Sequence, residues 1–111
     1  MGNRISISFL KKGEESVALY SHWDGKELKK TAERYVMELK KEIENNEKTN
    51  GVTPLERLEP ATVMVDFMRW MSMKEWKEKR ITGNYYLEQT GSDGDNSDNG
   101  HFKINLETVC P

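Results

Sequence analysis

The chain has 111 residues, 35% of them hydrophobic and 32% charged, with a formal net charge of −2. That length fits a single domain over 1–111 with a core that needs neither metal nor disulfide. The slightly acidic balance gives no basic footprint for nucleic acid, and no run reaches the ~18 apolar residues of a membrane span.

From the N-terminus, Ile5, Ile7 and Phe9 alternate with Ser6, Ser8 and Leu10, the period of a half-buried strand. A polar turn of about six residues around Gly13 leads to a second, less regular strand over 17–23, and the two read as a hairpin. Leu28, Ala32, Tyr35, Val36, Leu39 and Ile43 then recur at helical spacing. Opposite them stand Lys29, Lys30, Glu33, Arg34, Lys40, Lys41 and Glu44, so the expectation is a long amphipathic helix with a solvated charged side. The pairs Lys29–Glu33, Arg34–Glu38 and Lys40–Glu44 are spaced to support that surface.

Thr53, Pro54 and Glu56 make a capping box for a short helical turn, and a further helix restarts at Pro60. Val63, Met64, Phe67, Met68, Trp70 and Met71 give that helix a wide apolar face, which predicts a mostly buried element. Met73 and Trp76 fall away from it among Lys74, Lys77, Lys79 and Arg80, a surface suited to a partner or a second copy. Glu75 and Glu78 interleave there and argue against nucleic acid. In the last third, "GNYYLEQTG" and "GHFKINLETV" read as strands of a second hairpin with "SDGDNSDN" at its tip. The expected class is α+β: one antiparallel four-stranded sheet built of two terminal hairpins, with two main helices on one face, in the order β-β-α-(α)-α-β-β.

Chemistry concentrates in two places. In "LYSHWDGKEL", His22 and Asp24 would share a face of a strand, a pairing that could serve a small hydrolase or transferase. The competing structural reading makes Asp24 a helix N-cap with Glu27 completing a capping box, and it outweighs the catalytic one. His22, Trp23 and Asp24, together with Trp76, are therefore candidate binding residues, and no catalytic residue is assigned. In the acidic loop, Asp93, Asp95, Ser97 and Asn99 alternate as oxygen ligands of calcium would. The register fails at Leu106, where a calcium loop ends on glutamate, and Glu107 comes one residue late. Asp93, Asp95 and Asp98 stand as candidate metal ligands, against the simpler reading of a soluble hairpin tip. No motif points to a cofactor.

The stretches "MGNRISISF" and "LYSHWDG" resemble a family of small uncharacterised proteins of bacterial genomes and phage or prophage regions. Members open on a Gly-Asn-Arg strand and continue with a Tyr-x-His-Trp-x-Gly strand end. The matching positions are Gly2, Asn3, Arg4, Tyr20, His22, Trp23 and Gly25, about the first quarter of the chain, while Ser21 stands where such proteins often carry Leu. The resemblance implies a small accessory protein that acts on a larger partner and brings no activity with it. One cysteine, Cys110, leaves no intrachain disulfide and suits a reducing, cytoplasmic compartment. The expected function is a non-enzymatic interaction module with a protein partner, as monomer or homodimer. Calcium binding by the 93–99 loop and catalysis through His22 are the alternatives.

Overall fold

The structure, a computed structural model, describes residues 3–46, 59–77, 81–89 and 98–109. Strand β1 (Ile5–Lys11) lies at the centre of the sheet and carries a neighbour on each edge. On one edge the chain returns antiparallel as β2 (Glu14–Glu15) and, after a break at Ser16 and Val17, as β3 (Ala18–Ser21). The turn is tighter than six residues: Leu10 and Lys11 already pair with Glu15 and Glu14. Lys12 and Gly13 close it with φ of 50° and 84°, the double positive-φ geometry that matches strand twist.

Strand β4 (Tyr85–Glu88) adds antiparallel to β3, and β5 (His101–Asn105) runs parallel to β1 on its far edge. The class is α+β as expected, but the second hairpin does not form. β4 and β5 lie on opposite sides of the sheet with β3 and β1 between them, so the sheet is mixed. Period-2 alternation defines a strand and its two faces but leaves open which edge it joins. Beside β1, Ile104 comes level with Phe9 and enters the core.

The two main helices are α1 (Glu27–Asn46) and α2 (Pro60–Lys74), and a short α3 (Leu106–Val109) follows β5 directly. Pro60 sits in the first turn of α2, where its missing N–H costs no helical bond. Ile5, Ile7, Phe9 and Leu19 point from the sheet toward Leu28, Ala32, Tyr35 and Val36 of α1 and Val63, Met64, Phe67, Trp70 and Met71 of α2. At the centre, the rings of Phe9, Tyr35, Phe67 and Trp70 meet with centroids 5.2 to 6.2 Å apart. Each such side chain contributes roughly 1.5–3 kcal/mol by leaving water. Tyr35 Oη donates to Asp66 Oδ2 at 2.6 Å, and Arg69 Nε donates to Asp66 Oδ1 at 2.8 Å. Burial first, and then the Asp66 carboxylate, push the Tyr35 pKa well above its usual value, so the hydroxyl keeps its proton.

Several surface expectations change. Lys29 and Glu33 pair at 3.5 Å, but Arg34 bonds Glu75 of the loop after α2, and Glu38 meets Lys74 and the Trp70 indole N–H. Helix–helix packing outcompetes the short-range pairs because both partners are already held in place across the interface. Lys40, expected on the solvated side, is 6% exposed and its Nζ makes no hydrogen bond among the described residues. Its place one turn after Val36 puts its stem on the buried flank. Trp76 is buried too, at 7% exposure. The helix ends at Lys74, and the Trp76 N–H turns back to the Met71 carbonyl at 2.7 Å, which folds the indole under the helix end. Met64 and Met71 are core, Met68 packs partly against it, and Met73 is exposed. The Thr53–Pro54–Glu56 capping box lies outside the described residues.

Candidate functional site at the strand–helix seam

The seam is built by short polar side chains that stitch the end of β3 to the start of β4. Ser21 Oγ accepts from the N–H groups of Trp23 (3.3 Å) and Asp24 (3.0 Å) and donates to Asn84 Oδ1 at 2.9 Å. Asn84 Oδ1 also accepts from the backbone N–H groups of His22 and Trp23, both at 3.1 Å. Gly25 has φ of 59° and donates its N–H to the Asn3 carbonyl at 2.8 Å. A side chain there would meet Asn3 Nδ2 at 2.2 Å from its Cβ, so glycine serves both the left-handed turn and the close approach. The Asn3 N–H in turn donates to the His22 carbonyl at 2.6 Å. Asn3 of the Gly-Asn-Arg stretch is thus bonded to both His22 and Gly25 of the Tyr-x-His-Trp-x-Gly stretch.

Asp24 is not the helix cap. Its Oδ2 accepts from Tyr85 Oη and its Oδ1 from Asn84 Nδ2 at 3.5 Å. The left-handed turn at Gly25 separates Asp24 from α1, and the Leu28 N–H donates to the Gly25 carbonyl instead. Burial, and then the hydrogen bond to Asp24 and its charge, raise the Tyr85 pKa, with the neighbouring Trp76 N–H pulling weakly the other way. Tyr85 therefore remains a donor.

Between this seam, the first turns of α1 and the end of α2 lies a cleft of about 350 Å³, lined by Trp23, Asp24, Glu27, Thr31, Met71, Glu75 and Tyr85. Among the described residues its charged lining is entirely acidic. Trp23 is 57% exposed at this cleft although the backbone beneath it is fastened at every step. Trp76 packs behind Tyr85 with ring centroids 4.6 Å apart, and its Nε1–H donates to nothing among the described residues.

Of the four candidate binding residues, the structure brings Trp23, Asp24 and Trp76 together around Tyr85. His22 points to the other face of the sheet, where its ring lies 5.3 Å from Tyr86, itself stacked on Tyr20 at 4.9 Å. Its ring nitrogens make no hydrogen bond among the described residues. Asp98 is held by Arg4, whose Nε reaches its Oδ2 at 3.1 Å, and Asp93 and Asp95 lie outside the described residues. No group of three or more His, Cys, Asp or Glu able to hold a metal occurs among the described residues.

Sequence reasoning passed over Ser21, Asn84 and Tyr85 as seam residues. The only available signal was Gly83-Asn84 just before a strand, a turn dipeptide. It also passed over a polar cluster on the helix-free face of the sheet. There, His101 Nδ1 and Ser6 Oγ share a hydrogen bond of 2.6 Å, and His101 Nε2 lies 3.1 Å from both Ser8 Oγ and Glu15 Oε2. Both serines are fully buried, so neither presents a nucleophile to solvent. No family model, no curated protein and no solved structure matches the chain.

Proposed function

We propose that the chain is a small binding module that engages a protein partner by taking a basic segment into the seam cleft. The observation that carries this reading is Trp23, a large indole left exposed on a rigid frame beside a cleft whose only charged lining among the described residues is carboxylate. Tryptophan is the side chain most often found to anchor an interface, and opposite charge steers the encounter. The family resemblance supports the same picture of an accessory protein, working in the cytoplasm of a bacterial cell and of phage or mobile-element origin. Catalysis through His22 loses support, because the imidazole has no hydrogen-bonding group among the described residues to orient it. The calcium reading would rest on Asp93 and Asp95, since Arg4 already occupies Asp98.

The test is a titration of the ¹⁵N-labelled protein with a short flexible basic peptide, with an acidic peptide of equal length as control. The expected result is a shift of the Trp23 indole N–H and the Tyr85 amide with the basic peptide alone, lost in Trp23→Ala. An unmoved spectrum, or shifts that persist in Trp23→Ala, would remove the proposal.

A further inference from the structure

We infer that the residue read in the seam cleft is arginine rather than lysine. The inference rests on the docking reading above and names the chemistry it selects. Three features of the site point to a planar cation. First, the acceptors are spread around the cleft, not gathered at one point. Asp24 lies on the strand side and Glu75 on the helix side. Glu75 Oε1 accepts from Arg34, while its Oε2 accepts no hydrogen bond among the described residues. A guanidinium with five donors in a fixed fork can meet two separated carboxylates, whereas an ammonium is a point charge.

Second, Trp23 offers an open indole face, and a guanidinium stacks on such a face while giving up less hydration than an ammonium does. The chain carries its own comparison a few residues away. Arg34 lies over the Trp70 ring at 5.6 Å and still reaches Glu75 at 3.1 Å. Lys74 lies over the same ring at 5.9 Å and reaches Glu38 only at 3.8 Å. With an indole and a carboxylate to satisfy at once, arginine makes the hydrogen bond and lysine does not.

Third, the back wall holds a donor with nothing to do. The buried Trp76 packs against the Tyr85 ring with centroids 4.6 Å apart, and its Nε1–H donates no hydrogen bond among the described residues. Buried unpaired donors are rare, and each calls for an explanation. A guanidinium that takes over Asp24 Oδ2 releases the Tyr85 hydroxyl from that carboxylate, and a small rotation then lets Tyr85 accept from Trp76. Arginine binding is therefore felt at Trp76, which the ligand never touches.

The experiment compares an Arg-Gly-Arg-Gly-Arg peptide with its lysine counterpart at one ionic strength, following the indole N–H signals of Trp23 and Trp76. The arginine peptide is expected to bind about tenfold tighter, the scale of one stacking cation, and to move the Trp76 signal together with that of Trp23. In Trp23→Ala, with an otherwise unchanged amide spectrum, the arginine preference should vanish. Equal or tighter binding of the lysine peptide, or a preference that survives Trp23→Ala, overturns the inference and leaves the docking reading standing. If neither peptide binds the unaltered protein, both fall.

Discussion

Glu15 shows how one carboxylate joins strands from both ends of the chain. It sits on β2, accepts from Ser8 Oγ of β1, and meets His101 Nε2 at 3.1 Å and Lys103 Nζ at 3.7 Å on β5. Burial alone would raise its pKa, but the hydrogen bonds from Ser8 and His101 and the charges of Lys103 and His101 outweigh it and hold the pKa below the usual carboxylate value of 4.5. A pKa lower in the folded than in the unfolded state means stability that is present at neutral pH. It is lost as pH falls from about 4.5 through the depressed folded value. Glu15→Gln is expected to cost about 1–2 kcal/mol at pH 7, with the gap to the unaltered protein closing as pH falls below about 4.5. Urea unfolding of both proteins across that range measures it, and a constant gap would show that the charge of Glu15 contributes nothing. This cluster was legible only in part. The alternation of Ser6 and Ser8 placed them off the core face, but the sequence offers no sign that His101, 95 residues from Ser6, faces them. Asn84 was hidden for a related reason, since an amide that organises a turn by long-range bonds looks like any loop asparagine.

The helices are the elements that periodicity describes best, because 3.6-residue spacing and burial report the same face. Leu28, Ala32, Tyr35 and Val36 are core as the spacing requires. Spacing is blind past a helix end, which is why Trp76 was misplaced: two residues beyond Lys74, its position depends on a backbone turn and not on a helical angle. It is also blind to the width of the buried stripe, which widens where α1 carries Lys40. An amine buried there without a hydrogen bond costs stability, because water would have satisfied it. Lys40→Met keeps the stem and removes the donor, so the midpoint of urea unfolding should rise, by roughly 1–2 kcal/mol in stability. Unchanged or lower stability would mean that the amine is solvated in the native protein. The strands divide in the same way. Their existence and faces followed from alternation, while the separation of β4 from β5 depended on which edge of β1 buried Ile104 better.

At the scale of the molecule, β1 is completed only when the last described strand arrives. Ile5, Ile7 and Phe9 lie in the core between β3 and β5, and the β1–β5 pairing joins positions about as far apart in sequence as this chain allows. Contacts of such separation slow folding, because the loop must close before the pairing is gained. A chain ending at Ser97 lacks β5 and α3 and uncovers one whole edge of β1. It is expected to lose cooperative thermal unfolding, which calorimetry would register as the absence of a peak. A truncated chain that still melted sharply would show that the β5 edge is dispensable.

The same parallel pairing decides how the domain answers to force. β1 begins near the seam, and β5 ends beside Leu10, at the opposite pole of the sheet. Traction on the two ends would therefore slide these strands past each other lengthwise. Their ladder from Ser6–His101 to Leu10–Asn105 would be loaded all at once, instead of parting one rung at a time as a hairpin does. Held by its ends, the domain behaves as a clasp, and the seam cleft would keep its shape until the clasp gives way.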